Sequence, residues 1–65
     1  MRKKEIGTML RSLRGSRSRK VVADSCGISE GSLTCYESGE RIPRDEVKLS
    51  LSKYYGKPVE TIFNA

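Results

Sequence analysis

The residues with the most chemistry in this chain are its arginines and lysines. Eight of the thirteen fall in the first twenty positions (Arg2, Lys3, Lys4, Arg11, Arg14, Arg17, Arg19 and Lys20), with Glu5 the one acid among them. Cationic groups gathered in this way suit a polyanion, and a guanidinium adds a planar fork of donors that fits a phosphate. The rest of the chain holds five basic and seven acidic residues, so the net charge of +5 is carried by one end. Other chemistry is sparse. There is no histidine, and Cys26 and Cys35 have no CxxC spacing, so no metal site is expected. Neither a paired-carboxylate cleft nor a phosphate-cradling glycine loop is suggested, so no enzyme and no cofactor are expected. The two cysteines read as reduced thiols of a cytoplasmic protein, Cys26 in the core and Cys35 with Arg41 as its nearby activating charge.

These groups must be held by a small scaffold. Sixty-five residues make one domain, 1–65, near the lower limit for folding without disulfides or metals. No signal peptide and no membrane-spanning run is visible. Ile6, Met9, Leu10 and Leu13 recur at helical spacing and predict a first helix from Lys3 to Arg14. Gly15-Ser16-Arg17-Ser18 reads as a turn. Ser18 then caps a second helix, Arg19 to Ser25, with Val22, Ala23 and Cys26 inward, and Gly27 stops it. Ser29 caps a third helix, Glu30 to Glu37, with Leu33 and Tyr36 on its inner face. The segment 47–52 alternates apolar and polar residues, a strand pattern, but a lone strand would have no partner. A fourth helix over 44–55 is therefore expected, ended by Gly56, and a last short one begins at Pro58 with Val59, Ile62 and Phe63 inward.

The block 18–38 carries the function. Two short helices meet at Gly27, the small Ala23 lets them cross closely, and Ile28 and Leu33 cover the crossing. A short helix, a glycine turn and a second helix at this spacing form a helix-turn-helix unit. In Ile6-Gly7…Leu10-Arg11…Leu13-Arg14, then Ser18-Arg19…Val22-Ala23…Gly27-Ile28-Ser29…Leu33…Tyr36-Glu37…Gly39, then Pro43-Arg44-Asp45-Glu46…Tyr55-Gly56…Val59…Ile62-Phe63, the chain resembles the lambda-repressor-like, Xre/Cro family of helix-turn-helix DNA-binding domains. The run Arg41-Ile42-Pro43-Arg44-Asp45-Glu46 is similar to a branch frequent in phages and mobile elements.

The resemblance implies an all-α, compact five-helix bundle that binds double-stranded DNA as a homodimer, at the nucleoid of a bacterial cell or in its phages. It puts the third helix, 30–37, in the major groove and the second across the backbone. Base contacts are then expected from Glu30, Gly31, Ser32, Thr34 and Cys35, and phosphate contacts from Arg17, Arg19, Lys20, Arg41 and Arg44. Arg19 stands where the family often has a phosphate-binding glutamine. Arg14 and Glu37 are expected to form a structural ion pair, with Arg11 as the alternative if the short first turn shifts the first helix. The function expected is a sequence-specific transcriptional regulator, a repressor of phage or mobile-element type that binds operator half-sites. The alternative is a protein-interaction module on the same scaffold, an antirepressor or antitoxin. No membrane and no small-molecule ligand is expected.

Overall fold

The structure, a computed structural model, describes residues 3–63. Among them it has five helices and no strand: α1 (Lys3–Arg14), α2 (Arg19–Cys26), α3 (Glu30–Ser38), α4 (Asp45–Tyr55) and α5 (Val59–Phe63). No helix of the described residues is long and apolar enough to cross a membrane. α1 lies along α3, α2 packs on α3 and α4, and α5 closes the bundle against α4 and α1.

The core follows from the apolar spacing. Ile6 and Leu10 of α1 are buried, and Met9 and Leu13 pack against the core at its edge. Val22, Ala23, Cys26, Leu33, Tyr36, Leu51, Ile62 and Phe63 complete it. The alternating segment 47–52 is helical. Its buried member is Leu51, whereas Leu49 points outward and is 57% exposed. That outcome is physical: a strand there would leave its backbone groups unpaired, whereas a helix satisfies them within the segment.

Local signals set the ends. The Ser18 hydroxyl accepts from the Val21 amide at 3.1 Å, and the Ser29 hydroxyl accepts from the Ser32 amide at 3.0 Å. Gly27 adopts φ +71, and the Ile28 amide donates back to the Ala23 carbonyl at 3.0 Å, which closes α2 and turns the chain into α3. Four boundaries differ by a residue from the sequence reading. α2 reaches Cys26 and α3 reaches Ser38, where one more residue extends each ladder before its glycine. Arg44 is an extended cap ahead of α4. Pro58 precedes α5, its carbonyl accepting from the Thr61 amide at 3.0 Å.

α1 approaches α3 closely because Gly7 faces it. A Cβ there would lie 2.8 Å from the Glu37 carbonyl carbon and 2.9 Å from the Tyr36 oxygen. Gly31, inside α3, is the opposite case: a Cβ would meet only the Ser29 hydroxyl oxygen, at 4.0 Å. Gly31→Ala is therefore expected to stabilise the fold by about 1 kcal/mol, the helix-propensity difference. A thermal melt reads this as a rise of roughly 4–8 °C for a domain this small.

Candidate nucleic-acid interface

α3 has two sides with different duties. Leu33, Tyr36 and Glu37 are buried and anchor it. Glu30, Gly31 and Thr34 are exposed, and Ser32 and Cys35 are half-buried, so all five sequence-expected base-contact residues lie at least partly outside the core. The hydroxyls of this side are held by neighbours in the same helix end. Those of Ser29 and Ser32 hydrogen-bond to one another at 2.9 Å. Thr34 spends its proton on the Glu30 carbonyl at 3.0 Å, which leaves its oxygen as an acceptor. One small helix end thus offers two hydroxyls two positions apart, that of Thr34 as an acceptor.

The Cys35 thiol is held above its usual range by hydrogen bonding to Glu40, with desolvation and the Glu40 charge adding and Arg41 opposing. The sequence reading had named Arg41 as the charge that would activate it. Glu40 outweighs Arg41, so the thiol is made less acidic and not more. Cys26 is buried, and burial raises its pKa. Its thiol donates to the Ser50 carbonyl at 3.9 Å and ties α2 to α4.

The five expected phosphate ligands do not share one environment. Arg41 and Arg44 are exposed on the segment after α3. Lys20 is exposed at the start of α2 and meets Asp24 at 3.2 Å, a solvated pair of little energetic weight. Arg17 is exposed as well, but its guanidinium is engaged by groups of its own chain. Its Nε donates to the Arg14 carbonyl at 3.2 Å and its Nη2 to the Leu13 carbonyl at 2.9 Å, capping the end of α1. Its guanidinium also lies over the rings of Tyr54 and Tyr55, 5.3 and 5.6 Å from their centres.

Arg19 has a different tie. Its Nε donates to Glu37 Oε1 at 3.1 Å, while its side chain stays 39% exposed. Glu37 is the buried hub of this corner. It takes Arg14 Nε on Oε2 at 2.8 Å and Arg14 Nη2 on Oε1 at 3.1 Å. The Arg14 Nη1 donates to the Arg17 carbonyl at 2.9 Å, so the short turn 15–18 is fixed by the same guanidinium. Hydrogen bonding to Glu37 raises the Arg14 pKa further, against the opposing desolvation. Arg11 is exposed, and it is Arg14 that meets Glu37.

Sequence reasoning missed the Arg19–Glu37 bond and the Arg17 stack. The signal was there for the second, in the adjacent Tyr54 and Tyr55 at the end of α4. The Tyr55 hydroxyl beneath this corner is buried with no hydrogen-bond partner among the described residues. Burial first, then the Glu37 charge, pushes its pKa up to about 12. Its unfolded value is about 10, so the protonated form is favoured by folding and that stability is whole below about pH 10. It is lost as pH climbs through about 12. Tyr55→Phe is expected to match the wild type or exceed it in stability at pH 7, since no bond is removed, and to lose less at pH 11. Paired thermal melts at the two pH values check this.

No curated protein and no solved structure matches the chain. The family model described as a helix-turn-helix domain matches residues 5–62. With nearly its whole length matched and its α2–turn–α3 unit in place, the chain belongs to the helix-turn-helix domain family, of the lambda-repressor type, and so to a family of DNA-binding regulators.

Proposed function

We propose that this chain is a sequence-specific regulator of transcription at the nucleoid, a repressor of phage or mobile-element type. In this reading α3 lies in the major groove, and Arg19, Lys20, Arg41 and Arg44 hold phosphates on either side. The observation that carries it is the polar, accessible leading end of α3 against its buried opposite side. Ser32 suits an acceptor such as guanine N7, and Thr34 suits an exocyclic amino group, with its methyl against thymine. Glu30 fits the cytosine amino group.

Size supports binding as a homodimer. α3 has nine residues, so it is about 13 Å long and covers about four base pairs. Two copies on two half-sites double that span. The run Arg41–Glu46 supports the phage or mobile-element assignment.

A mobility shift on duplex from the protein's own promoter region tests the proposal. The expected result is a shifted band that survives excess unrelated duplex and weakens steeply with salt. Equal competition by any duplex contradicts sequence specificity. No shift, together with capture of a stoichiometric protein partner, favours the interaction-module reading.

A further inference from the structure

The geometry points to Glu37 as a positioning residue for DNA binding, one that holds the Arg19 guanidinium by its Nε edge so that the other edge grips a phosphate. The inference rests on the DNA-binding reading of α3 and adds to it a role for a buried acid that touches no DNA.

Three observations meet here. Glu37 is almost wholly buried, its side chain 2% exposed, and it is fixed from the other side by the two-point bond to Arg14. It therefore gives Arg19 a rigid anchor. Arg19 is bound to that anchor through Nε on Oε1 at 3.1 Å, and both terminal nitrogens of its guanidinium remain unspent among the described residues. The Arg19 side chain is 39% exposed at the first position of α2, so the unspent edge is on the accessible side of the molecule. A guanidinium can hold a carboxylate on one edge and a phosphate on another, because its donors point along fixed and different directions. Arg17 offers a contrast: its Nε and Nη2 are both spent on carbonyls of α1.

The two effects of Glu37 on DNA affinity have opposite signs, which makes the inference testable. As a bare negative charge near phosphates, Glu37 weakens binding, so its neutralisation should tighten it. As an anchor that orders Arg19 before contact, it strengthens binding, so its neutralisation should loosen it.

The experiment compares the wild type, Glu37→Gln, Arg19→Lys and the double variant on the promoter duplex that the wild-type chain shifts. Kd is measured across salt, and far-UV circular dichroism establishes folding at the temperature used. Glu37→Gln is expected to bind about tenfold more weakly although the chain has lost a negative charge. Its salt slope is expected to fall by about one unit, one phosphate contact. Arg19→Lys keeps the charge but has a single nitrogen that carboxylate and phosphate must share, and it is expected to show a similar loss. The double variant is expected to be no weaker than either single one. Glu37→Gln binding as tightly as the wild type, or additive losses in the double variant, overturns the inference while leaving DNA binding intact. Should Glu37→Gln fail to fold, Arg19→Lys decides: wild-type affinity for it overturns the inference. A wild-type chain that shifts no duplex overturns the DNA-binding reading itself.

Discussion

Gly7→Ala is expected to destabilise the fold by about 2–3 kcal/mol, near the top of the range for overpacked sites. The added methyl meets backbone, the Glu37 carbonyl carbon at 2.8 Å and the Tyr36 oxygen at 2.9 Å. Backbone inside a packed helix cannot swing aside as a side-chain end can, so α1 must lift off α3. Alanine's better helix propensity returns about 1 kcal/mol and does not offset the clash. A domain of this length has a total stability of about 3–10 kcal/mol. The expected drop in Tm is roughly 10–20 °C, read by a thermal melt. Gly31→Ala is the matched control, the same chemical change where the new methyl meets nothing closer than the Ser29 hydroxyl oxygen at 4.0 Å, and it is expected to move Tm the other way. A Gly7→Ala chain melting within a few degrees of the wild type would mean that α1 and α3 do not approach as closely as described.

Glu37→Ala is expected to cost about 3–5 kcal/mol, the usual penalty for removing one partner of a buried ion pair. Arg14, with its side chain 16% exposed, would be left with an uncompensated charge, and Arg19 would lose its tie. Replacing both members with apolar residues, Arg14→Met with Glu37→Met, is expected to return stability close to that of the wild type, since the desolvation of both charges disappears. Denaturant unfolding of the three chains checks both statements. The double variant also separates stability from function: it should fold, yet bind DNA more weakly because nothing orders Arg19. A loss below about 1 kcal/mol for Glu37→Ala would show that the pair is solvated and weak, as surface pairs are.

Most of the backbone was legible because its signals are local. Ile6 and Leu10 one turn apart, the hydroxyls of Ser18 and Ser29 ahead of two helices, and the glycines behind them each act within a few residues. Even the alternating segment 47–52 yielded to an argument about backbone hydrogen bonds, because a strand with no partner cannot satisfy them. What stayed hidden depends on elements distant in sequence. Nothing in α1 announces that Gly7 faces the backbone of Tyr36 and Glu37 thirty residues on. Arg17 and Arg19 are chemically identical and two positions apart. Only the arrival of Tyr54 and Tyr55 on one side, and of Glu37 on the other, gives them different work. Cys35 shows the same limit at short range. Both Glu40 and Arg41 follow it closely, and the folded geometry decides that the acid prevails. At the candidate interface the exposure of Glu30, Gly31 and Thr34, with Leu33 turned inward among them, could be read from the helical period. The acceptor role of the Thr34 hydroxyl could not, because it depends on the Glu30 carbonyl taking its proton.

The proposed function depends on the leading end of α3 reading base edges. Selection of bound sequences from a random duplex pool tests it most directly, run in parallel with the wild type and with a Ser32→Ala, Thr34→Ala double variant. The wild type is expected to enrich an inverted repeat whose half-sites lie about one helical turn, or about 10 base pairs, apart. The variant, still folded, is expected to lose preference at one or two positions of each half-site and to keep its salt dependence. Enrichment of no sequence over the input pool, or an identical motif from both chains, would contradict it.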